Sequence, residues 1–276
     1  MNTKKFAIIG DPISHSLSPI MHNYWFKKYN IQAQYELLHI KESEIQKVIE
    51  KIKKKEIAGI NVTLPYKKSV IPFLSKTIND AKETHSVNTI MLDDNDDLIG
   101  ENTDVFGFQA AYLKLIPNNK NNMKALILGA GGVAPSIILA LLKSSITNIS
   151  ISNRTYEKSL FLKQKFKEIN LIKWEKYPDE LSKFDILINA TSLGLVPGEE
   201  PKIKLSNLKK SMVFIDTIYN PQQTKLIKLF KSHNLKTFNG LNMLIYQGQK
   251  SFYLWNKINP EIDDDLVGLL ESKINK

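Results

Sequence analysis

Apolar runs of strand length alternate with helical stretches along nearly the whole chain, and no two of the strand-like runs are joined by hairpin chemistry. That order requires parallel pairing, with helices making the crossovers and covering the sheet. Phe6 to Gly10, Tyr35 to Leu38 and Gly59 to Leu64 read as strands, separated by a helix running to Tyr29 and another over Glu42 to Lys54. Two helical stretches then precede a strand over Val87 to Leu92, a turn at Asp93 to Asp97, and a crossing at Leu98 to Asp104 into a helix over Val105 to Leu115. Pro117 to Asn122 breaks the pattern and reads as the edge of a second lobe. A chain of 276 residues suits two such lobes.

The second lobe opens with the most specific local signal in the chain. Lys124 to Leu128 is a strand, and Gly129-Ala130-Gly131-Gly132-Val133-Ala134 leads from it into a helix over Ser136 to Lys143. Glycines at that junction let a pyrophosphate approach the helix N-terminus, which marks a dinucleotide turn. The next strand, Asn148 to Ser152, ends at Asn153-Arg154-Thr155, with Lys158 one helical turn on. An acidic residue there would bond a ribose 2′-hydroxyl; a guanidinium and an amine instead suit a 2′-phosphate, so the expected cofactor is NADP. Strands over Asp185 to Ala190, Met212 to Tyr219 and Lys236 to Asn239 continue the sheet, with Thr191 to Gly194 as a loop beside the cofactor. Two closing helices, one from Gly240 bearing Gln247 and one over Asp264 to Ile274, are apolar enough to return to the first lobe.

Chemistry in the first lobe centres on Asn61-Val62-Thr63-Leu64-Pro65-Tyr66-Lys67. Pro65 ends the strand, leaving Asn61, Thr63 and Lys67 at the mouth of a sheet, where ligands bind in open α/β folds. The same residues also read as a plain strand end followed by solvated lysines. Ser18, ahead of Pro19, is placed as a helix N-cap; with Ser16 it either caps only or offers hydroxyls to a carboxylate. Asp104 reads either as a cap at its helix start or as a catalyst, and Gln247 either as a helix-face polar residue or as a ligand.

Zero cysteines exclude disulfides, thiolate nucleophiles and cysteine zinc sites, and five histidines lack metal-ligand spacing. No apolar run reaches membrane-spanning length and no signal-peptide core follows the N-terminus, so a cytoplasmic protein is expected. The net charge of +10 comes from lysines spread along the chain; Arg154 is the single arginine among 38 basic residues. Without interleaved aromatics this charge does not point to nucleic acid.

Together these residues resemble the shikimate dehydrogenase family nearly end to end. The match runs through Ser16 and Ser18, NVTLPYK at 61 to 67, VNT at 87 to 89, NTD at 102 to 104, GAGG at 129 to 132, NRT at 153 to 155, NATSLG at 189 to 194, Asp216 with Tyr219, and Gly240 through Gln247. The resemblance implies NADPH-dependent reduction of 3-dehydroshikimate to shikimate on the path to chorismate and the aromatic amino acids, by a monomer or homodimer acting on a small molecule. The implied fold is α/β: an N-terminal substrate lobe with a mostly parallel sheet, residues 1–103 completed by helices in 241–276, and a Rossmann-type NADP-binding lobe, 104–240. It further implies Ser16, Ser18 and Tyr219 at the substrate carboxylate, Thr63, Asn88, Asp104 and Gln247 at ring hydroxyls, and Lys67 as acid/base at C3, paired with Asp104. Gly129, Ala130, Gly131, Gly132, Val133, Asn153, Arg154, Thr155, Lys158, Thr191, Thr217 and Gly240 would hold NADP. Val105, Thr84-His85-Ser86 and Thr217 depart from the commonest pattern, which often has glycine, Ile-Gly-Ala and methionine there. A quinate/shikimate dehydrogenase and a non-catalytic NADP-binding sensor are the alternatives; the Arg154 and Lys158 pair argues against the first, retention of Lys67 and Asp104 against the second.

Overall fold

In the computed structural model, which describes residues 3–116, 120–196 and 198–274, the chain packs as two units. One comprises the chain up to Gly107 together with Leu244–Lys273; the other is Phe108–Met243 with Ile274. The divisions fall inside two helices, within Asp104–Ala111 and within Leu241–Asn256. Of the expected break at 117 to 122, residues 117–119 lie outside the described residues, as do residues 1, 2, 275 and 276 of the expected lobe ranges; Lys120–Asn122 is a single 3₁₀ turn.

The first unit runs β1 (Lys4–Gly10), α1 (Ser18–Lys28), β2 (Ala33–His39), α2 (Ile45–Lys53), β3 (Gly59–Val62), β4 (Lys76–Thr77), α3 (Asp80–Thr84), β5 (Thr89–Leu92), β6 (Leu98–Glu101) and α4 (Asp104–Ala111). Helix α2 shows why its sequence folds as it does. Ile45, Val48, Ile49 and Ile52 recur at helical spacing and are buried, while the lysines between them face solvent. That apolar face packs with Ile9, Ile60, Val62, Ile90 and Leu98, each buried aliphatic side chain contributing roughly 1.5–3 kcal/mol.

Among the described residues the sheet has six strands in the order β2-β1-β3-β5-β6-β4. β1 pairs in parallel with both β2 and β3, so the chain reverses its winding direction between β1 and β3. The loops after those two strands therefore flank a switch point, the place where an open α/β sheet leaves a crevice. Strict parallel pairing does not hold throughout. β3 and β5 are antiparallel, and β5 and β6 form an antiparallel hairpin. Asp93 closes that hairpin by accepting from the N–H groups of Asn95 and Asp97 at 3.0 and 2.9 Å, with Asp96 at φ 60°. The segment 98–101, expected only as a crossing, is thus a strand; its polar end, Glu101, hides the strand pattern although it is buried. Only one short helix, α3, lies between Lys67 and Leu92, the other expected helix being replaced by a 3₁₀ turn over Ile71–Phe73 and by β4.

The second unit continues with β7 (Lys124–Leu128), α5 (Ala134–Lys143), β8 (Asn148–Ser152), α6 (Tyr156–Lys165), β9 (Asn170–Ile172), α7 (Tyr177–Glu180), β10 (Ile186–Asn189), β11 (Val213–Asp216), α8 (Lys225–Ser232) and β12 (Lys236–Phe238). Its described strands are all parallel, in the order β12-β11-β10-β7-β8-β9. This is the doubly wound Rossmann arrangement, with its switch point between β7 and β10. Both strands are buried along nearly their whole length, as a sheet covered on both faces requires.

The chain closes with α9 (Leu241–Asn256) and α10 (Asp264–Glu271). Within the first unit, Phe252 of α9 meets the rings of Phe26 and Trp25 at 5.3 and 5.5 Å, and the Trp255 indole donates to the Ile90 carbonyl at 3.3 Å.

Candidate active site and dinucleotide turn

Lys67 lies on the turn that follows β3. Pro65 ends the strand, and the turn is pinned by Tyr66, whose buried hydroxyl donates to the Ile40 carbonyl at 2.7 Å. The Lys67 carbonyl accepts from Val87 N–H at 2.8 Å, fixing the backbone beneath the side chain. Its ammonium then meets Asp104 Oδ2 at 2.6 Å, with the two side chains only 12% and 8% exposed. A pair so desolvated is costly to break from one side, by about 3–5 kcal/mol, because the remaining charge stays buried.

Asp104 is available to Lys67 because it does not cap its helix. The capping oxygen is Asn102 Oδ1, which accepts from the N–H groups of Asp104 and Val105 at 3.0 and 3.3 Å. The Asp104 carboxylate is thereby released to other partners: Lys67 on Oδ2, and on Oδ1 the side-chain amide of Asn88, which donates at 2.9 Å. Gln247 completes this cluster, its Oε1 lying 3.4 Å from Asn88 Nδ2. Lys67, Asn88, Asp104 and Gln247 are therefore brought together within one unit from four separate stretches of chain.

Other expectations for this unit change. Helix α1 begins at Ser18 itself, with Leu17 in the capping position, and it is Ser16 Oγ that accepts the Ser18 N–H at 3.3 Å. Ser18 is buried. Thr63 stays half-buried beside Gly10, its N–H donating to the Ile9 carbonyl at 2.9 Å. Asn61, placed at the mouth by sequence, is instead buried. It accepts from the Tyr35 hydroxyl at 2.7 Å and donates to the Asn88 carbonyl and Ser251 at 3.0 Å each. Tyr35, Thr103 and Ser251 carry this buried polar layer and were given no role by sequence reasoning; Tyr35 and Ser251 stand outside any motif, and Thr103 lies within NTD, whose pattern does not say that its hydroxyl faces the interior.

In the second unit the glycine turn has the geometry a dinucleotide needs. Gly129 sits at φ 108°, and a Cβ there would come within 2.7 Å of the Ala190 carbonyl, so the turns after β7 and β10 touch at a point only glycine permits. Nothing lies within 4 Å of the place a methyl group on Gly131 would occupy, leaving the approach to the start of α5 clear. Asn153 braces the turn, its Oδ1 accepting from Ala130 N–H at 3.0 Å while its amide donates to the Thr155 carbonyl at 2.7 Å. Arg154, Thr155 and Lys158 are exposed just beyond, and Gly132 and Val133 are half-buried at the helix entry. These residues fit an NADP molecule: an open backbone cradle for the pyrophosphate and two exposed cationic side chains for the 2′-phosphate.

A second set of loops borders the same switch point. Thr191 donates to Asn189 Oδ1 at 2.6 Å, and the Asn189 amide donates to Asp216 Oδ1 at 3.0 Å. Asp216 is fully buried, and its carboxyl is pushed up to about 6, first by desolvation, against hydrogen bonds from Thr224, Ile218 N–H and Asn189. Thr217 donates to the Asn189 carbonyl at 2.9 Å. Gly240 lies against the Thr217 carbonyl, where a Cβ would approach to 2.1 Å. Tyr219 follows β11 in this unit and is half-buried. Among the described residues no cluster of three or more histidine or acidic side chains could hold a metal, and no helix is long and apolar enough to cross a membrane.

The family model described as the shikimate dehydrogenase substrate binding domain matches residues 8–90, and that described as shikimate / quinate 5-dehydrogenase matches 112–242. A shikimate dehydrogenase (NADP(+)) of Pelagibacter ubique is 48% identical over 97% of this chain and 99% of its own. The chain belongs to the shikimate dehydrogenase family. Solved structures agree with that membership. A shikimate dehydrogenase from Aquifex aeolicus superposes with a TM-score of 0.86 at 35% identity, covering 98% of this chain and 97% of the other. Another shikimate dehydrogenase, solved in complex with NADP+, gives 0.88 at 35% identity over 99% and 96%. His85 stands at φ 45°, a left-handed conformation that favours glycine.

Proposed function

We propose that Lys67 and Asp104 run the proton side of this family's reaction. The chain is an NADP-dependent oxidoreductase acting on a CH–OH group, converting 3-dehydroshikimate to shikimate with NADPH in aromatic biosynthesis. The single observation that carries the residue assignment is the shielded contact of 2.6 Å between Lys67 Nζ and Asp104 Oδ2. Bound at the glycine turn, NADPH supplies the hydride. As negative charge develops on the carbonyl oxygen, Lys67 Nζ stabilises it and delivers a proton. Asp104 holds the ammonium in place through Oδ2 and is itself aimed by Asn88 through Oδ1.

Around this pair, Thr63, Asn88 and Gln247 are assigned to the ring hydroxyls of the substrate, and Ser16, Ser18 and Tyr219 to its carboxylate. Support comes from the clustering of Asn88, Asp104 and Gln247 and from Ser16 and Ser18 at the start of α1, where helix N–H groups favour an anion. Gly129 to Val133, Asn153, Arg154, Thr155, Lys158, Thr191, Thr217 and Gly240 are assigned to NADP. Substrate choice within the family rests on a comparison, since one matching family model is described by both shikimate and quinate. We assign shikimate as the main substrate, in keeping with the named relatives.

The test is steady-state kinetics with shikimate, with quinate and without either, following NADP reduction. Lys67→Ala and Asp104→Ala should each lower kcat by about 10²–10⁴, the scale for removing a positioned acid/base group, with NADP titration nearly unchanged. Near-normal turnover in either variant rules out the assigned pair, and quinate turnover exceeding that of shikimate reverses the substrate assignment.

A further inference from the structure

Asp104 is backed by a set of polar side chains almost wholly shielded from solvent. Thr103 is 1% exposed, Thr89 and Ser251 are 0%, and Asn88, which links them to the carboxylate, is 2%. Polar groups at such depth persist only when satisfied, and here each has more than one partner within the layer.

One of these partners is a main-chain group, which has one role only. Thr103 N–H donates to Asn88 Oδ1 at 2.8 Å, so the Asn88 amide nitrogen must face the other way, toward Asp104 Oδ1 at 2.9 Å. The second hydrogen of that amide goes to Thr103 Oγ1 at 3.0 Å. Ser251, on α9, donates to the Gln247 carbonyl at 3.0 Å, and its oxygen accepts from Asn61 Nδ2 at 3.0 Å and lies 2.8 Å from Thr89 Oγ1 and 3.2 Å from Thr103 Oγ1, either of which can donate to it. Thr103 therefore clamps the Asn88 amide through backbone and side chain, and its hydroxyl also lies within hydrogen-bond reach of Asn88 Oδ1 and Ser251 Oγ, each at 3.2 Å. Through Ser251, the clamp is tied to the helix that carries Gln247.

We propose that the Thr103 and Ser251 hydroxyls are positioning groups for catalysis: they lock the Asn88 amide in the orientation that aims the Asp104 carboxylate at Lys67. The inference rests on Lys67 and Asp104 being the proton-handling pair. Loss of the Thr103 hydroxyl leaves the Asn88 amide held on that side by the Thr103 N–H alone, so its grip on the carboxylate loosens while the carboxylate keeps its charge. The consequence falls on turnover, since orientation of the reacting groups matters most in the transition state.

The experiment compares Thr103→Val, which keeps the shape and removes the hydroxyl, with Thr103→Ser, which keeps the hydroxyl, alongside Ser251→Ala and Asp104→Ala. Shikimate and NADP binding are measured by titration, and kcat by NADP reduction. Thr103→Val is expected to lower kcat by about ten- to hundredfold with NADP affinity within twofold of the parent, Thr103→Ser to restore at least a third of it, and Ser251→Ala to show a smaller loss of the same kind. Adding Thr103→Val to Asp104→Ala should cost little more than Asp104→Ala alone, because both act through one group. Full turnover in Thr103→Val, no rescue by Thr103→Ser, or additive losses in the double variant would each overturn the positioning role. If Thr103→Val does not fold, Ser251→Ala decides: a kcat loss at unchanged NADP affinity supports the role, and unchanged kcat overturns it. An active Asp104→Ala sinks the underlying pair, whereas an inactive Asp104→Ala beside a fully active Thr103→Val sinks only the positioning inference.

Discussion

Arg154 is exposed where β8 gives way to α6, with Lys158 exposed one turn further on. Neither side chain supports the core, so their removal should be felt by the ligand and not by the fold. Arg154→Ala is expected to raise KM for NADP while KM for NAD, which lacks the 2′-phosphate, stays nearly constant. One charge-assisted hydrogen bond lost corresponds to a drop of about ten- to hundredfold in preference. Arg154→Lys keeps the charge without the planar fork and should recover part of it. kcat/KM for both cofactors in the three proteins settles the point; equal losses with NADP and NAD would move phosphate recognition to another residue.

At the scale of elements, the second sheet presents two loop systems at its switch point, one after β7 and one built from the segments after β10 and β11. The second is closed by Asn189 and Asp216 and by the approach of Gly240 to the Thr217 carbonyl. A methyl group at residue 240 would have to displace backbone, which cannot swing aside as a flexible side chain can. Gly240→Ala is therefore expected to push the Thr217 segment away and weaken NADP binding by tenfold or more, roughly the 1–3 kcal/mol of a strained backbone site. Kinetics at saturating NADP separate this from a chemical defect: kcat should recover substantially as the cofactor is raised. Unchanged KM for NADP would show that the segment after β11 does not contribute to the cofactor site.

At the scale of the whole molecule, the two units carry buried ionisable groups of opposite sense. In the first, His22 is fully buried among Trp25, Tyr35 and Phe252, neither ring nitrogen has a hydrogen-bond partner, and desolvation pushes it down to about 3. As pH falls from 6.5 toward 3 the unfolded chain takes a proton at His22 that the native state refuses. That unit loses about 1.4 kcal/mol per pH unit from this group over that window. In the second, Asp216 at about 6 keeps its proton in the native state while the unfolded chain, with an ordinary value of 3.8, gives it up. Stability from Asp216 is thus greatest below about pH 4, declines as pH rises to about 6, and is lower by about 3 kcal/mol above that. Thermal unfolding of His22→Leu and Asp216→Asn from about pH 4 to 7 checks both signs. Relative to the parent, His22→Leu should gain as pH falls and Asp216→Asn should gain as pH rises. Parallel pH curves for parent and variant would contradict the assignment for that residue.

The strand-glycine-helix order at Lys124 to Lys143 and the helical spacing of Ile45, Val48, Ile49 and Ile52 were determined by local sequence, because steric freedom at Gly129 and a 3.6-residue period act within a few residues. The polar residues of NVTLPYK, VNT and NTD were likewise legible as a set. What local sequence did not determine was which of them face a ligand. Asn61 went into the interior because Tyr35 and Ser251, 26 residues before it and 190 after it, satisfy its amide there. Asp104 was released from capping by Asn102 and drawn to Lys67, 37 residues away. The antiparallel hairpin at β5 and β6 depended on Asp93 folding back on its own turn and on a buried place for Glu101. Each of these choices turns on desolvation, and whether a buried polar atom finds its partner is known only once distant segments have been brought together.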